Sequence, residues 1–130
     1  MDKLLRLLKR PMTYALAALF FLSLGAFQVR AQGQHVALEV VAVKLNATSD
    51  LDAFRKNDEL IAEWVSKQPG FISRETATGP NGEWFTIVHW ASLKDAENAG
   101  ALFMKTEQAK AAMSMIDQNS MLYKHYVTGQ

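Results

Sequence analysis

Three histidines are the side chains best suited to proton transfer near neutral pH, and their spacing limits what they could do together. They are His35, His89 and His125. No two of them have the spacing of helical zinc ligands, and the sequence contains no cysteine. The pattern therefore predicts neither a metal site nor thiol chemistry. His89 lies in an apolar β-branched stretch, so a structural role and a role as a catalytic base are both open.

Familiar catalytic and nucleotide-binding motifs are missing from the sequence. It has no GxSxG elbow, no P-loop and no GxGxxG. Residues 79–82 (GPNG) are typical of a hairpin turn and not of a phosphate cradle. Acidic residues between positions 50 and 63 have the spacing of a solvated helix face: Asp50, Asp52, Asp58, Glu59 and Glu63.

The first 31 residues are typical of a secretory signal peptide. A basic segment precedes an uncharged apolar run at residues 12–27, and small residues follow at positions 29 and 31. The run of 16 residues is shorter than the ~20 that a transmembrane helix needs. We expect cleavage after Ala31, with export to the periplasm or the medium. An uncleaved signal anchor is the alternative, and the only membrane contact that we expect.

Net charge differs between this leader and the rest of the chain. The whole chain carries +1, but residues 1–31 hold five basic residues and one acidic residue. Residues 32–130 hold nine basic and twelve acidic residues, so this body is mildly acidic. A body without a basic stripe argues against nucleic acid as a partner.

Hydrophobic periodicity predicts an α+β domain at residues 32–130. The order β-α-β-β-α-β is that of a ferredoxin-like fold. Ser49 and Ser92 are the expected N-caps of the two helices, and the second helix could be split near Lys105. We expect strands at 36–45, 71–78, 83–90 and 121–128, helices from about 51 to 66 and from 93 to 116, and a loop at 117–120.

Both faces of the predicted sheet are apolar. Two helices cover one face only, so the other must meet a second apolar surface. The simplest partner is a second copy in a two-fold homodimer, and the alternative is a monomer covered by its own loops. In the third strand one side carries Trp84, Thr86, Val88 and Trp90, and the other carries Phe85, Ile87 and His89.

Two segments resemble the antibiotic biosynthesis monooxygenase-like family. Residues 68–75 (QPGFISRE) are similar to the family's turn into its second strand, and residues 88–96 (VHWASLKDA) to its strand-to-helix segment. The resemblance extends over residues 36–128. It implies a dimeric α/β barrel in which each protomer has a small apolar pocket between its sheet and its helices. Some members are cofactor-independent oxygenases of polyphenolic rings, and others degrade haem.

The resemblance also assigns roles and exposes departures. Trp90 stands where family enzymes often have a pocket tryptophan, although the role of a core aromatic that anchors the strand end is also open. Met113 replaces the histidine that ligates iron in haem-degrading members, and the first strand is apolar around Val41, where those members have an asparagine. Thr86 replaces the asparagine that polyketide-oxidising members place four residues before the tryptophan. We therefore expect neither haem degradation nor a bound cofactor.

The resulting hypothesis is an exported domain that binds a small apolar or aromatic molecule and oxidises it without a cofactor. The alternative is a non-catalytic homodimeric binding or stress-related module of the same fold. A third hypothesis makes His89 a catalytic base. Candidate catalytic residues are His89 and Trp90, and the expected pocket lining is Trp84, Thr86, Trp90, Phe103 and Met113.

Overall fold

The computed structural model describes residues 36–129, which form one antiparallel sheet with three helices. The expected leader and His35 lie outside the described residues. The α+β class and the ferredoxin-like order are confirmed, with the second helix split in two. The elements are β1 (Ala37–Leu45), α1 (Leu51–Ser66), β2 (Phe71–Thr78), a 3-10 turn (Pro80–Gly82), β3 (Glu83–Trp90), α2 (Leu93–Phe103), α3 (Glu107–Met115) and β4 (Ile116–Val127).

The four strands lie in the order β2-β3-β1-β4, with every neighbouring pair antiparallel. The long apolar strand β1 is therefore central. Its register with β3 places Ala37 opposite Trp90 and Val43 opposite Trp84. Because side chains alternate between faces along a strand, these four residues share one face of the sheet. That face packs against the helices through two buried apolar clusters.

The N-cap of helix α1 lies one residue later in the chain than expected. Asp50, and not Ser49, is the N-cap, and its carboxylate accepts hydrogen bonds from the backbone N–H groups of Asp52 and Ala53. Ser49 instead donates its hydroxyl to the carbonyl of Met115, at 2.7 Å. This contact ties the start of α1 to the end of α3. The expected cap Ser92 is confirmed in α2, where it accepts from the N–H of Asp95.

The expected loop at residues 117–120 is part of β4. Asp117 pairs with Lys44 and Leu122 pairs with Ala42, so residues 118–121 together lie opposite a single β1 residue. The excess residues form an irregularity inside the strand, and Ser120 Oγ accepts a hydrogen bond from the N–H of Lys44. The polar side chains that hydrogen-bond to the backbone at such a bulge are the same residue types that are common in loops. This similarity explains the wrong prediction.

Gly70, which directly precedes β2, contacts the backbone directly after β3. Its φ of +80° lies in the left-handed region, and a Cβ at this position would collide with the carboxylate of Asp95. Its carbonyl accepts a hydrogen bond from the N–H of Ala91, at 2.7 Å. The residue next to that N–H is Trp90, so this turn holds the buried tryptophan in place.

The second face of the sheet carries no helix. Leu38, Val40 and Ala42 of β1 lie on it, and Ala42 pairs with Phe85 of β3 on one side and Leu122 of β4 on the other. Phe85 and Leu122 are each 40% exposed. We call this apolar surface the open face. None of the helices within residues 36–129 is long and apolar enough to cross a membrane.

Candidate functional site

A cavity of about 500 Å³ lies between the helix-covered face of the sheet and the helices. Its walls are largely apolar and aromatic. All three tryptophans of the chain, Trp64, Trp84 and Trp90, line it. Aromatic rings of the helices contact two of them, since Phe54 lies 5.0 Å from Trp84 and Phe103 lies 5.7 Å from Trp64 between ring centroids. The cavity can therefore hold a flat apolar ring between aromatic walls.

The structure brings the expected pocket residues together around this cavity. They come from three elements: β3, the end of α2, and α3. The side of β3 that faces the cavity is the one that carries both tryptophans. The residues are Trp84, Thr86, Trp90, Phe103 and Met113. Their part in binding stays a prediction.

His89 does not line the cavity. It pairs with Leu38 and Ser73 in the sheet, on the open face, and its Nδ1 lies 3.1 Å from the hydroxyl of Ser73. Trp90, the adjacent residue, lies on the opposite side of the strand at the cavity wall. The two candidate catalytic residues are thus separated by the sheet, and they cannot act on one substrate in this cavity.

Two indole N–H groups at the cavity have no hydrogen-bond acceptor among residues 36–129. They belong to Trp84, which is 8% exposed, and to Trp90, which is 1% exposed. Buried indole nitrogens normally have a partner, because an unsatisfied buried donor loses its bond to water without a replacement. Both nitrogens are inaccessible to water, so these donors are buried without a partner and are not open to the cavity.

A buried ion pair between Arg74 of β2 and Asp58 of α1 forms one polar part of the cavity wall. The Arg74 guanidinium donates two hydrogen bonds to the two oxygens of the Asp58 carboxylate, one of them at 3.0 Å. The side chains are only 11% and 12% exposed. The expectation that Asp58 belongs to a solvated helix face was wrong, because α1 turns this carboxylate toward the sheet.

A second polar cluster, the Glu39 cluster, consists of Glu39, Tyr123 and His125. Oε2 of Glu39 lies 3.0 Å from the Tyr123 hydroxyl and 3.1 Å from His125 Nε2. All three residues line the cavity. Sequence reasoning missed this site because Glu39 lies 84 and 86 residues before Tyr123 and His125 in the chain. The signal was the position of Glu39 at even spacing between Ala37 and Val41, on the buried side of β1.

Tyr123 keeps its proton throughout the neutral range. Burial raises the pKa of its hydroxyl well above the ordinary value, and the nearby charge of Glu39, its hydrogen bond and the charge of Glu97 act in the same direction. Since a neutral phenol has a proton to donate, Tyr123 donates to the Glu39 carboxylate. Tyr123 is thus a hydrogen-bond donor in this cluster and not a base.

The raised pKa of Tyr123 predicts a loss of stability in alkali. Below about pH 10 the residue is protonated in both folded and unfolded chains, and its stabilising effect is fully present. Above that pH the unfolded chain loses the proton and the folded chain retains it, so the free energy of unfolding falls as the pH rises. Urea titrations from pH 8 to 11 should show a smaller fall in Tyr123→Phe. An equally steep fall in that variant would contradict the assignment.

Gly100 of α2 provides the space for the Tyr123 hydroxyl. A Cβ at Gly100 would lie 2.6 Å from that oxygen but 3.8 Å from the ring carbon that carries it. Alanine normally stabilises a helix by about 1 kcal/mol relative to glycine. A side chain here would instead displace Tyr123 from Glu39.

We expect Gly100→Ala to have opposite effects in two backgrounds. In the wild type it should lower the free energy of unfolding, because overpacking typically costs about 1–3 kcal/mol. In Tyr123→Phe, which lacks the oxygen, the same change should raise it by about 1 kcal/mol. Urea denaturation of the four proteins measures this coupling. Effects of the same sign in both backgrounds would show that the hydroxyl does not set the requirement for glycine.

Metal binding has no support in the described part of the chain. No group of three or more His, Cys, Asp and Glu side chains there is placed to hold a metal ion. The two His residues of this region, His89 and His125, lie on opposite faces of the sheet.

Solved structures with the same fold include an oxygenase and a monooxygenase. A variant of SnoaB, a cofactor-independent oxygenase from Streptomyces nogalater, matches with a TM-score of 0.59 and 14% identity over 73% of this chain and 92% of that one. The monooxygenase ActVA-Orf6 of Streptomyces coelicolor, in complex with nanaomycin D, matches with a TM-score of 0.56 and 18% identity over 75% and 90%.

A third similar structure comes from Nitrosomonas europaea and is provisionally named an antibiotic biosynthesis monooxygenase. It matches with a TM-score of 0.57 and 13% identity, over 75% of this chain and 91% of that one. No protein-family model and no curated protein matches the chain. At these identities the comparisons establish the fold, which is that of the antibiotic biosynthesis monooxygenase-like proteins, as the sequence resemblance predicted.

Proposed function

We propose that the cavity binds a small, flat, largely apolar aromatic molecule, and that the protein oxidises this molecule with molecular oxygen and no cofactor. The observation that carries the proposal is the cavity itself, which all three tryptophans line. Its volume of about 500 Å³ falls in the usual range of small-molecule sites. Its aromatic walls favour a planar ring over a flexible chain.

The polar side chains on the cavity wall suggest one chemical feature of the ligand. An oxygen on the ring would find hydroxyl partners in Thr86 and Tyr123, which line the otherwise largely apolar cavity. Polycyclic phenols, quinols and anthrones combine a flat ring system with such an oxygen. Two proteins of the same fold support oxidation without a cofactor and the binding of a small molecule, since SnoaB is named a cofactor-independent oxygenase and the monooxygenase ActVA-Orf6 was solved with nanaomycin D.

Oxidation of an anthrone illustrates the reaction that we propose. The ring methylene loses two hydrogens and gains one oxygen atom as a carbonyl. The second oxygen atom leaves as water with those two hydrogens, so one anthrone and one O₂ give one anthraquinone and one water. The substrate supplies all the electrons. The cavity would orient the ring and exclude bulk water from it.

A second candidate function is non-catalytic binding by a homodimeric or stress-related module. It is favoured by one observation: the charged groups of the cavity wall are already paired. Arg74 binds Asp58, and Glu39 accepts from both Tyr123 and His125. A site whose charges satisfy one another can hold an apolar ligand without reacting with it.

Turnover of anthrone in air separates the two functions. Catalysis predicts oxygen uptake above the spontaneous rate, with equal amounts of oxygen consumed and anthraquinone formed. A chain that quenches its tryptophan emission on binding the ring, yet leaves the spontaneous rate unchanged, would be a binding module. Phe103→Ala, which opens the cavity wall beside Trp64, should weaken binding in either case, and exposed Leu60→Ala is the matched control.

We also propose that the chain is exported and that it acts as a homodimer. Export rests on the leader at residues 1–31, and mass spectrometry of the secreted or periplasmic protein should find Gln32 as the first residue. A mature protein that starts at Met1 would indicate an uncleaved anchor. Dimerisation rests on the open face, where exposed Phe85, Leu122 and Tyr126 flank the apolar centre of β1.

A further inference from the structure

The Glu39 cluster contains a carboxylate–imidazole pair on the wall of the cavity. Glu39 is central in the sheet, with Val88 of β3 on one side and His125 of β4 on the other. The side chains of Glu39 and His125 are 12% and 17% exposed, and both line the cavity. Glu39 and His125 are paired on adjacent strands and share one face of the sheet, so their side chains lie at hydrogen-bond distance in a largely apolar site.

The hydrogen bonds assign the imidazole tautomer. Glu39 Oε2 accepts from Tyr123, and the 3.1 Å contact with His125 Nε2 is a second bond in which the ring nitrogen donates. Tyr123 Oη and His125 Nε2 are therefore both donors to Glu39 Oε2, and they lie 3.3 Å apart because they share this acceptor. With its proton on Nε2, the ring has its lone pair on Nδ1, which no described residue hydrogen-bonds.

We propose that His125, oriented by Glu39, is the general base that removes a proton from the bound aromatic molecule. The substrates are therefore rings with an acidic C–H or O–H, such as anthrones and hydroquinones. This inference rests on the proposed function. A carboxylate that holds the imidazole in one tautomer, and stabilises the imidazolium once formed, is a known arrangement for a histidine base.

An oxidation without a cofactor requires the substrate itself to give electrons to O₂, and removal of a proton from the substrate makes this easier. The C–H bond of the anthrone methylene breaks, its proton moves to Nδ1, and its electron pair stays on the ring as an enolate. The electron-rich enolate donates electrons to O₂ far more readily than the neutral ring. The ring carbon then bonds to O₂ as a peroxide, and His125 returns its proton to the outer peroxide oxygen. As the O–O bond breaks and the carbonyl forms, the second methylene hydrogen leaves the carbon as a proton and joins the departing oxygen, which is released as water.

The charges around the imidazole favour this role. Glu39 faces it from β1, Tyr123 contacts it from its own strand, and Glu97 of α2 lines the same cavity. The other charged side chains of that wall, Arg74 and Asp58, neutralise each other. The Glu39 carboxylate contacts the ring directly and thus fixes its orientation. Tyr123 and Glu39 are positioning residues, since they act through His125.

The test compares His125→Asn with Glu59→Gln in the full chain, with anthrone as substrate. A lost general base should lower kcat by about 100- to 10,000-fold. Affinity for 1,8-dihydroxyanthraquinone, followed by tryptophan quenching, should change little. Glu59→Gln, at an exposed position of α1, should leave both quantities unchanged. An unchanged kcat in a folded His125→Asn would overturn the inference.

Two measurements on the wild type keep the inference testable if His125→Asn does not fold. The pH profile of kcat should have an acid limb, because a protonated imidazole cannot accept a proton, and a flat profile would overturn the role of His125. Anaerobic exchange of the anthrone methylene hydrogens in D₂O should be faster with the protein than without it. Exchange without oxidation would support the base and refute the oxygenase. Oxidation without catalysed exchange would support the oxygenase and refute the base.

Discussion

Arg74→Ala is expected to destabilise the folded chain by about 3–5 kcal/mol, because it leaves the Asp58 carboxylate buried without its partner. The ion pair lies between α1 and β2 with both side chains nearly inaccessible to water. Removal of one charge costs far more than the pair contributes, since the remaining charge has lost its hydration and gains nothing in return. Urea denaturation, followed by circular dichroism, measures the change.

The double variant Arg74→Met, Asp58→Leu provides the control. Apolar side chains of similar length remove both buried charges, so most of the stability lost in Arg74→Ala should return. The exposed pair of Lys67 and Glu63 is the matched comparison, and Lys67→Ala should cost less than about 1 kcal/mol. If Arg74→Ala and Lys67→Ala had similar effects, the Arg74 pair would not be buried in solution.

Phe85→Lys is expected to convert a dimer into a monomer. Phe85 lies on the open face opposite Ala42, and Leu122 lies opposite Ala42 on its other side, so the three form an apolar row across three strands. A two-fold interface presents each substitution twice, so one lysine places two buried charges between the sheets. Sedimentation velocity at micromolar concentration should show one dimeric species for the wild type and one monomeric species for the variant.

Leu60→Lys controls for the general effect of a lysine on an exposed apolar site. Leu60 is 50% exposed on α1, away from the sheet, and its substitution should leave the dimer intact. A wild-type chain that sediments as a stable monomer would contradict the proposed assembly. The open face would then need a different explanation for its apolar surface.

The order and the bounds of most elements followed from local signals. β2 and β3 were predicted to the residue, because the Pro69-Gly70 turn precedes β2, the GPNG hairpin separates β2 from β3, and the N-cap Ser92 follows β3. Parity along β3 also separated its tryptophan side from its His89 side. The sequence could not tell which side faces the helices, since both sides are apolar and only the packing of α1 and α2 decides it.

The polar groups of the site were the least predictable feature. Asp58 has the spacing of a solvated position, and only the long-range contact with Arg74 explains its burial. Glu39 and His125 are brought together by the pairing of the first and last strands, which have no local sequence signal for each other. Their hydrogen bond depends on register, and the irregularity in β4 that sets this register had the composition of a loop.

The most direct test of the ligand cavity is a titration with 1,8-dihydroxyanthraquinone, followed by tryptophan quenching in the wild type and in Ala112→Phe. Ala112 lines the cavity, so the added ring would fill the space that the ligand needs, whereas Lys110→Phe adds the same ring on the exposed side of α3. We predict saturable quenching in the wild type and in Lys110→Phe, and none in Ala112→Phe. Equal quenching in all three proteins would place the ligand elsewhere and contradict the proposed site.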